Sequence, residues 1–521
     1  MAKGKSPPEA KTAFIVAMVL VVIASLVNTA AVSWLLAPFI ILLAVFAILR
    51  ARVADTMLVL MFFALVLENP SERPAAGFWE TPFYLFGALI LIHIKNVIDL
   101  PIPIGGMDMM LLLTMAVAYS RQRQRAAAGV PPTPRPMVRL AYLSLIATFM
   151  AFMVGKIRGG ADNSMAIWQA DRVTYLPIVF LLFAAGLETQ NDYIRAGKVL
   201  LLSSLIRASQ AMYVRATVIV PPDPITGEPG MPYATTHNDS ITFAMSAVLL
   251  AVIFIERLDK KHKRFALLAI PILVGGMLAN NRRMVWLQIM MALGTIYLIT
   301  ERNKIKRKLE RYLMLASPLA LVYIAVGWSS KAKIFKPVQT IRSAVDTSEK
   351  AQDSSTLWRE IENYDLIYTI KQHPIFGSGL GHPFWEIIPL PAVDYPMERF
   401  IPHNSLLGIF AFYGVIGVIG LTLLWVAGVY FAIRSYHFCK HPYDKAAALV
   451  CFSSVLVYLV QTFGDIGIGC WAGVFTVSCS LATACKLAVS SGAWIEAPRR
   501  RPRPQARPSP AANRPGAVGQ S

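Results

Sequence analysis

The sequence predicts an all-α polytopic membrane protein, with about fourteen transmembrane helices and one large extracytoplasmic loop. Three observations carry that reading. The chain is 55% hydrophobic and only 15% charged, with a mean hydropathy of +0.52. Apolar runs recur from end to end, each long enough to cross a hydrocarbon layer as a helix of about 17–25 residues. They must be helical, because lipid offers backbone N–H and C=O groups no water to bond. Finally, basic residues gather in short loops between these runs, while the one long hydrophilic stretch is nearly neutral.

The first run, near Lys11 to Val27, follows Lys3 and Lys5 and is followed at once by a second, so it reads as an uncleaved signal anchor. The next candidates lie near Trp34 to Leu49, Asp55 to Leu67, Tyr84 to Val97, Met107 to Tyr119, Leu140 to Val154 and Tyr175 to Leu187. Val199 to Val220, Ile241 to Ile255, Ala266 to Leu278, Met284 to Ile299 and Tyr312 to Val326 continue the series. The last three are Leu406 to Ile433, Ala446 to Leu459 and Trp471 to Leu487.

Three basic loops orient these runs. Arg121 to Arg139 has five Arg and no acid, Glu256 to Arg264 has five basic residues against two acids, and Glu301 to Arg311 has six against two. An even number of spans separates each from the next, which puts all three on the cytoplasmic side. Ser329 to His403, with eight Lys and Arg against nine Asp and Glu, falls on the opposite side. With the Arg50 and Arg52 loop inside, only two of the three segments between Arg52 and Arg121 cross completely. Pro101 and Pro103 beside Gly105 and Gly106 mark a re-entrant or interfacial neighbour.

The expected organisation is a transmembrane bundle over 1–328, a periplasmic loop over 329–403, further transmembrane helices over 404–490 and a tail over 491–521. The tail, with Arg499, Arg500, Arg501 and Arg503 among many prolines, cannot bury a core and is expected to be disordered, fixing the C-terminus inside with the N-terminus. No internal repeat stands out.

The formal charge of +20 is spread over lipid-facing loops and forms no soluble basic face, which argues against a nucleic-acid partner and for anionic lipid. The five cysteines lie in the last spans or their connections, without a disulfide framework or CxxC pattern. His373, His382 and His403 lack a dense carboxylate or thiolate set, so neither metal nor other cofactor is expected. Walker, Rossmann, HExxH and GxSxG signatures are missing where their structural context would exist.

Charged residues at the outer ends of spans are the first candidates for chemistry. Arg282 and Arg283 interrupt two apolar runs at an outer turn, where they either snorkel as an interfacial pair or hold a diphosphate through bidentate contacts. Arg215 lies near the outer end of another span. Beyond it come Pro221, Pro222 and Pro224, then His237-Asn238-Asp239, where a helix cap accounts for Asn238 and Asp239.

In the long loop, Leu357, Ile361, Tyr364 and Tyr368 recur at helical spacing after Ser354 or Ser355, which predicts an amphipathic helix on the membrane surface. His373-Pro-Ile-Phe-Gly-Ser-Gly-Leu-Gly381 follows as a turn whose glycines permit close approach of a ligand or backbone. His403-Asn404-Ser405 then opens a long span. A histidine at that edge is either an interfacial polar residue or a general base.

These residues, taken in order, resemble the O-antigen ligase and O-antigen polymerase superfamily of bacterial envelope glycan enzymes. The Asn281-Arg282 turn is similar to the family's Ser-Arg element, with Asn in place of Ser. Trp358-Arg359 through Pro374 with Gly377-Ser-Gly-Leu-Gly381 resembles its loop. His403-Asn404-Ser405 with Tyr413-Gly414 and Gly417 resembles its His-Asn and Gly-x-x-Gly start of the next span. The likeness covers roughly the C-terminal half of the chain.

The resemblance implies a GT-C-like membrane glycosyltransferase architecture in the bacterial inner (cytoplasmic) membrane. It implies inverting, metal-independent glycosyl transfer at the periplasmic face from an undecaprenyl-diphosphate-linked glycan donor. Carried over, His403 matches the proposed base, Arg282 one family arginine and Arg215 the second; Arg283, Arg359, Asn404 and His382 are the expected substrate contacts. The acceptor is a glycan, as in a polymerase of exopolysaccharide or O-antigen repeat units, or lipid A core, as in a ligase. Chain-length regulator and flippase proteins are the expected partners. A lipid-linked oligosaccharide flippase or transporter is the alternative of another class, and it would need charged or broken helices near the bilayer midplane.

Overall fold

The computed structural model of the chain describes residues 6–27, 30–66, 105–122, 132–217, 234–302, 304–330, 332–335, 338, 342, 354–390, 398–465 and 467–495. Among them the regular elements are helical and no strand occurs. In chain order they are α1 (Pro8–Val27), α2 (Ala30–Arg50), α3 (Val53–Val66), α4 (Gly106–Ser120), α5 (Arg135–Arg158), α6 (Asn163–Gly186), α7 (Gln190–Thr217) and α8 (Asp239–Ile255). There follow α9 (Lys260–Asn280), α10 (Arg283–Ile299), α11 (Lys304–Trp328), α12 (Ser354–Gln372), α13 (Ser405–Phe438), α14 (Pro442–Gly464) and α15 (Trp471–Ser490).

Seven of them, α5, α6, α9, α11, α13, α14 and α15, are long and apolar enough to cross a membrane, and α2, α3, α4, α8 and α10 include shorter apolar helices. Each expected apolar segment except Tyr84 to Val97 falls on one of the fifteen helices. That segment, Pro221 to Pro224 and the Arg-rich tail beyond residue 495 lie outside the described residues.

α15 is buried along 94% of its apolar window and forms the centre, with α6, α13 and α14 packed around it. A mostly apolar helix with small polar residues and no wet face belongs there. α10 packs on α14, α7 on α9, and α5 on both α6 and α13. α11, by contrast, buries none of its apolar window and stands at the outside.

Helix ends sort into two groups. At one end Arg52 pairs with Asp192 and Glu188, Arg195 with Asp55, and Tyr443 with Asp259. Arg121 donates there to the backbone of Leu49 and Ala51. At the other end, the loop end, residues 378–381, Phe400 and Ser405 meet α5, α6, α13 and the turn between α14 and α15. α3 starts and α4 finishes at the first end; the Tyr84 to Val97 segment, on which the number of crossings between Arg52 and Arg121 turns, lies outside the described residues.

α6 begins at Asn163, well before the apolar run predicted from Tyr175. The added turns carry Gln169 and Arg172, whose side chains bond the loop end instead of facing lipid. Gln169 donates to Phe400 O at 2.7 Å and accepts from Gly381 N–H at 2.8 Å. Hydrogen bonding, not apolarity, sets where a helix starts.

The glycine turn after α12 is built into a broken helix. Gly414 interrupts α13 with φ 63° and ψ −174°, a region essentially reserved for glycine. The break leaves backbone groups that the turn then satisfies. Ser378 N–H donates to Ala411 O and Gly379 N–H to Phe412 O, while Val415 and Ile416 donate to Pro374 O and Ile375 O. Leu380 N–H reaches Ala151 O of α5. Gly377 has φ +70°, and a Cβ there would stand 2.3 Å from the backbone of Phe412. Substituting Gly414 by Ala is therefore expected to cost upwards of about 1–3 kcal/mol. A lowered thermal midpoint of the purified protein checks this; an unchanged midpoint contradicts the inserted turn.

Candidate active site

The polar face of α12 is the scaffold. Glu362, Asp365 and Thr369 are wholly buried, whereas Leu357 and Tyr364 are 45% and 53% exposed. The helix thus turns its polar stripe inward and much of its predicted apolar stripe outward. Buried backbone donors must be met, and these side chains meet them. Asp365 accepts from Ile387 and Ile388 N–H at 2.9 and 3.2 Å, and Thr369 Oγ1 from Trp385 N–H at 2.9 Å.

Glu362 does the same for His403. Its two oxygens lie 3.1 and 3.0 Å from His403 N, and Oε1 lies 3.3 Å from Nδ1. Trp358, one turn earlier, sets its ring edge-on to the imidazole at 4.6 Å. A carboxylate on Nδ1 selects the tautomer that leaves Nε2 as the basic nitrogen. His403 is partly open, with 28% of its side chain exposed, against a fully buried Glu362.

Asn404 is a cap: its side-chain oxygen accepts from Leu407 N–H at 3.2 Å and starts α13. It thereby fixes the residue before it. His382 has Nε2 3.1 Å from Gly155 O, at the end of α5. Burial, with Arg158 and His382 nearby, holds the His373 imidazole below its ordinary pKa.

The arginines lie at the same end. Asn281 ends α9 in the left-handed region, φ 57°, and Arg282 takes up extended backbone before α10 begins. Two residues therefore reverse the chain. Asn280, just before them, is wholly buried with both amide atoms lacking a partner among the described residues. Met284 of α10 lies against Gly464 of α14. Asp465, next in sequence, is 3.9 Å from Arg359 of α12, one turn from Glu362. The contact chain thus links the Arg282–Arg283 turn to the His403–Glu362 pair. Arg215 is exposed in the last turn of α7, beside Val214, which clusters with Ala279 of α9.

Sequence reading missed three features. Arg207 of α7 is fully buried, and Asp239, expected only as a cap, holds its guanidinium at 2.8 and 2.7 Å. Asn238, the residue at the cap position, makes no capping bond. Glu362 was the second omission. Its only signal was helix phase, since Glu362, Asp365 and Thr369 repeat as regularly as the apolar residues do. Arg172 was the third: its guanidinium stacks over Trp168 at 4.8 Å and donates to Gly469 O at 3.1 Å.

Breaking the Arg207–Asp239 pair strands a buried charge. Asp239→Ala is expected to cost about 3–5 kcal/mol, and Arg207→Met with Asp239→Leu to recover much of it. Thermal melting of the two variants checks this, and equal melting would contradict it.

Among the described residues no three His, Cys, Asp or Glu side chains gather as metal ligands. No curated protein matches the chain significantly. Residues 267–422, from α9 through the start of α13, match the family model described as O-antigen ligase. That segment contains the Arg282–Arg283 turn, Arg359, Glu362, His403 and the broken helix. That segment is thus similar to the O-antigen ligase family.

Proposed function

We propose that the protein transfers a glycan from undecaprenyl diphosphate to a sugar hydroxyl at the periplasmic face of the bacterial inner membrane, most directly as a polymerase of exopolysaccharide or O-antigen repeat units. The observation that carries this is the His403–Glu362 pair at the end of the bundle that also bears Arg359 and the Arg282–Arg283 turn.

His403 Nε2 takes the proton of the acceptor hydroxyl as its oxygen attacks the anomeric carbon. The bond from that carbon to the donor phosphate breaks on the opposite side, so the configuration inverts. The lipid diphosphate leaves with the bonding electrons. Arg282 and Arg215 offset its charge, with Arg283 and Arg359 as further contacts, and no metal takes part. Asn404 contributes by fixing His403, and His382 by bracing the glycine turn on α5.

A ligase that moves the finished glycan to lipid A core uses the same groups. Deleting the gene separates the two. Loss of polymer with single-repeat products left behind supports the polymerase; polymer accumulating on the lipid diphosphate supports the ligase. Chain-length regulator and flippase proteins would act before and beside this step. Conversion of a lipid-diphosphate donor by the purified protein in detergent, where no gradient exists, tests transfer itself. Failure of that conversion returns the transporter reading.

A further inference from the structure

Joining two glycans requires two places to hold them, and the cations proposed for the diphosphate furnish only one. A cavity of about 240 Å³ opens at the loop end. Its walls come from α6, α13, residues 400–402, the residues before α8 and the 468–470 turn; among the described residues none of α9 to α12 lines it. It therefore stands apart from Arg282, Arg283 and Arg359. Pro402 and Ser405, which bracket His403 and Asn404, line it.

The chemistry of the walls is mixed. Ile409, Phe412 and Ile468 line it together with the polar Arg172 and His237. Arg172 Nη1–H is bonded to Gly469 O, but its buried Nε–H has no acceptor among the described residues. A buried donor left unmet costs free energy, so an oxygen brought by a ligand is favoured there. The volume is below the range of drug-sized pockets and suits one sugar ring. Pyranoses present C–H faces to apolar walls and hydroxyls to donors.

We propose that this cavity is the acceptor subsite: it seats the terminal ring of the acceptor glycan beside His403, with Arg172 Nε–H donating to a sugar oxygen. The proposal rests on the transferase reading above. It adds Arg172 as a substrate-binding residue that neither the spacing of motifs nor the family match assigns.

The test uses the full chain in lipid nanodiscs. The donor is the lipid-linked repeat unit, and the acceptor is the oligosaccharide released by mild acid from intermediates that accumulate without the gene. Arg172→Gln is expected to raise the acceptor KM about tenfold or more, the effect of losing a hydrogen bond to a charged group, with donor KM and kcat within about twofold. An unchanged acceptor KM, or a rise in donor KM instead, overturns the proposal. If Arg172→Gln melts early, Val173→Phe fills the same cavity from α6 and is read by the same two outcomes. Equilibrium binding of the oligosaccharide without donor reads the cavity independently of catalysis. Tenfold weaker binding by Arg172→Gln supports the subsite even if the wild type transfers nothing, and equal binding removes it.

Discussion

Alanine at His403 is expected to lower glycosyl transfer by about 10²–10⁴-fold, the usual worth of a positioned general base, while the protein still inserts and melts normally. Glu362→Gln should fall between that variant and the wild type. It keeps an oxygen for the backbone N–H of His403 but removes the charge that favours the Nε2 base. Single-turnover rates with saturating donor would separate the two, because base removal slows the chemical step without weakening donor binding. Wild-type rates in His403→Ala would remove the catalytic assignment altogether, and a Glu362→Gln enzyme indistinguishable from wild type would reduce the pair to a structural contact.

Arg282→Ala should reduce kcat by about 10²–10³-fold, because a cation placed where charge develops acts mainly on the transition state. Lysine at the same position restores charge without the planar two-point contact, so partial recovery is expected. Arg283→Ala makes a useful comparison, since Arg283 is more exposed than Arg282. If Arg283→Ala is the more damaging change, the working cation of the turn is the second arginine. If both variants transfer at the wild-type rate, the diphosphate does not meet this turn.

Much of the fold was legible because lipid makes demands that a sequence cannot disguise. Apolar runs gave the helices among the described residues. The amphipathic helix after Ser354 was placed correctly, but its buried side was not. Apolar spacing pointed to Leu357, Ile361, Tyr364 and Tyr368, whereas Glu362, Asp365 and Thr369 face inward. The rule that apolar residues go inside assumes nothing inside needs a polar partner. Here the backbone of 385–388 and of 403 did.

The site was legible in part for a related reason. His403 and Arg282 could be read from local pattern, since each interrupts or opens an apolar run. Partnerships spanning 41 residues, as between Glu362 and His403, or 32, as between Arg207 and Asp239, leave no trace in a single chain. Asp239 was readable as a cap because caps are local. Its actual partner lies on the previous helix and became visible only once the two helices were packed.

The interruption of α13 at Gly414 has a consequence for how this protein can be handled. Carbonyls of Ala411 and Phe412, and the amides of Val415 and Ile416, find their partners in residues 374–379. A fragment containing only the segment that precedes α13 would carry half of a hydrogen-bonded joint, and the helical bundle without it would hold the other half bare. Severing them is thus not the removal of an appendage. The seam between the glycine turn and the broken helix is where the two halves complete each other, so neither is expected to reach its native form alone.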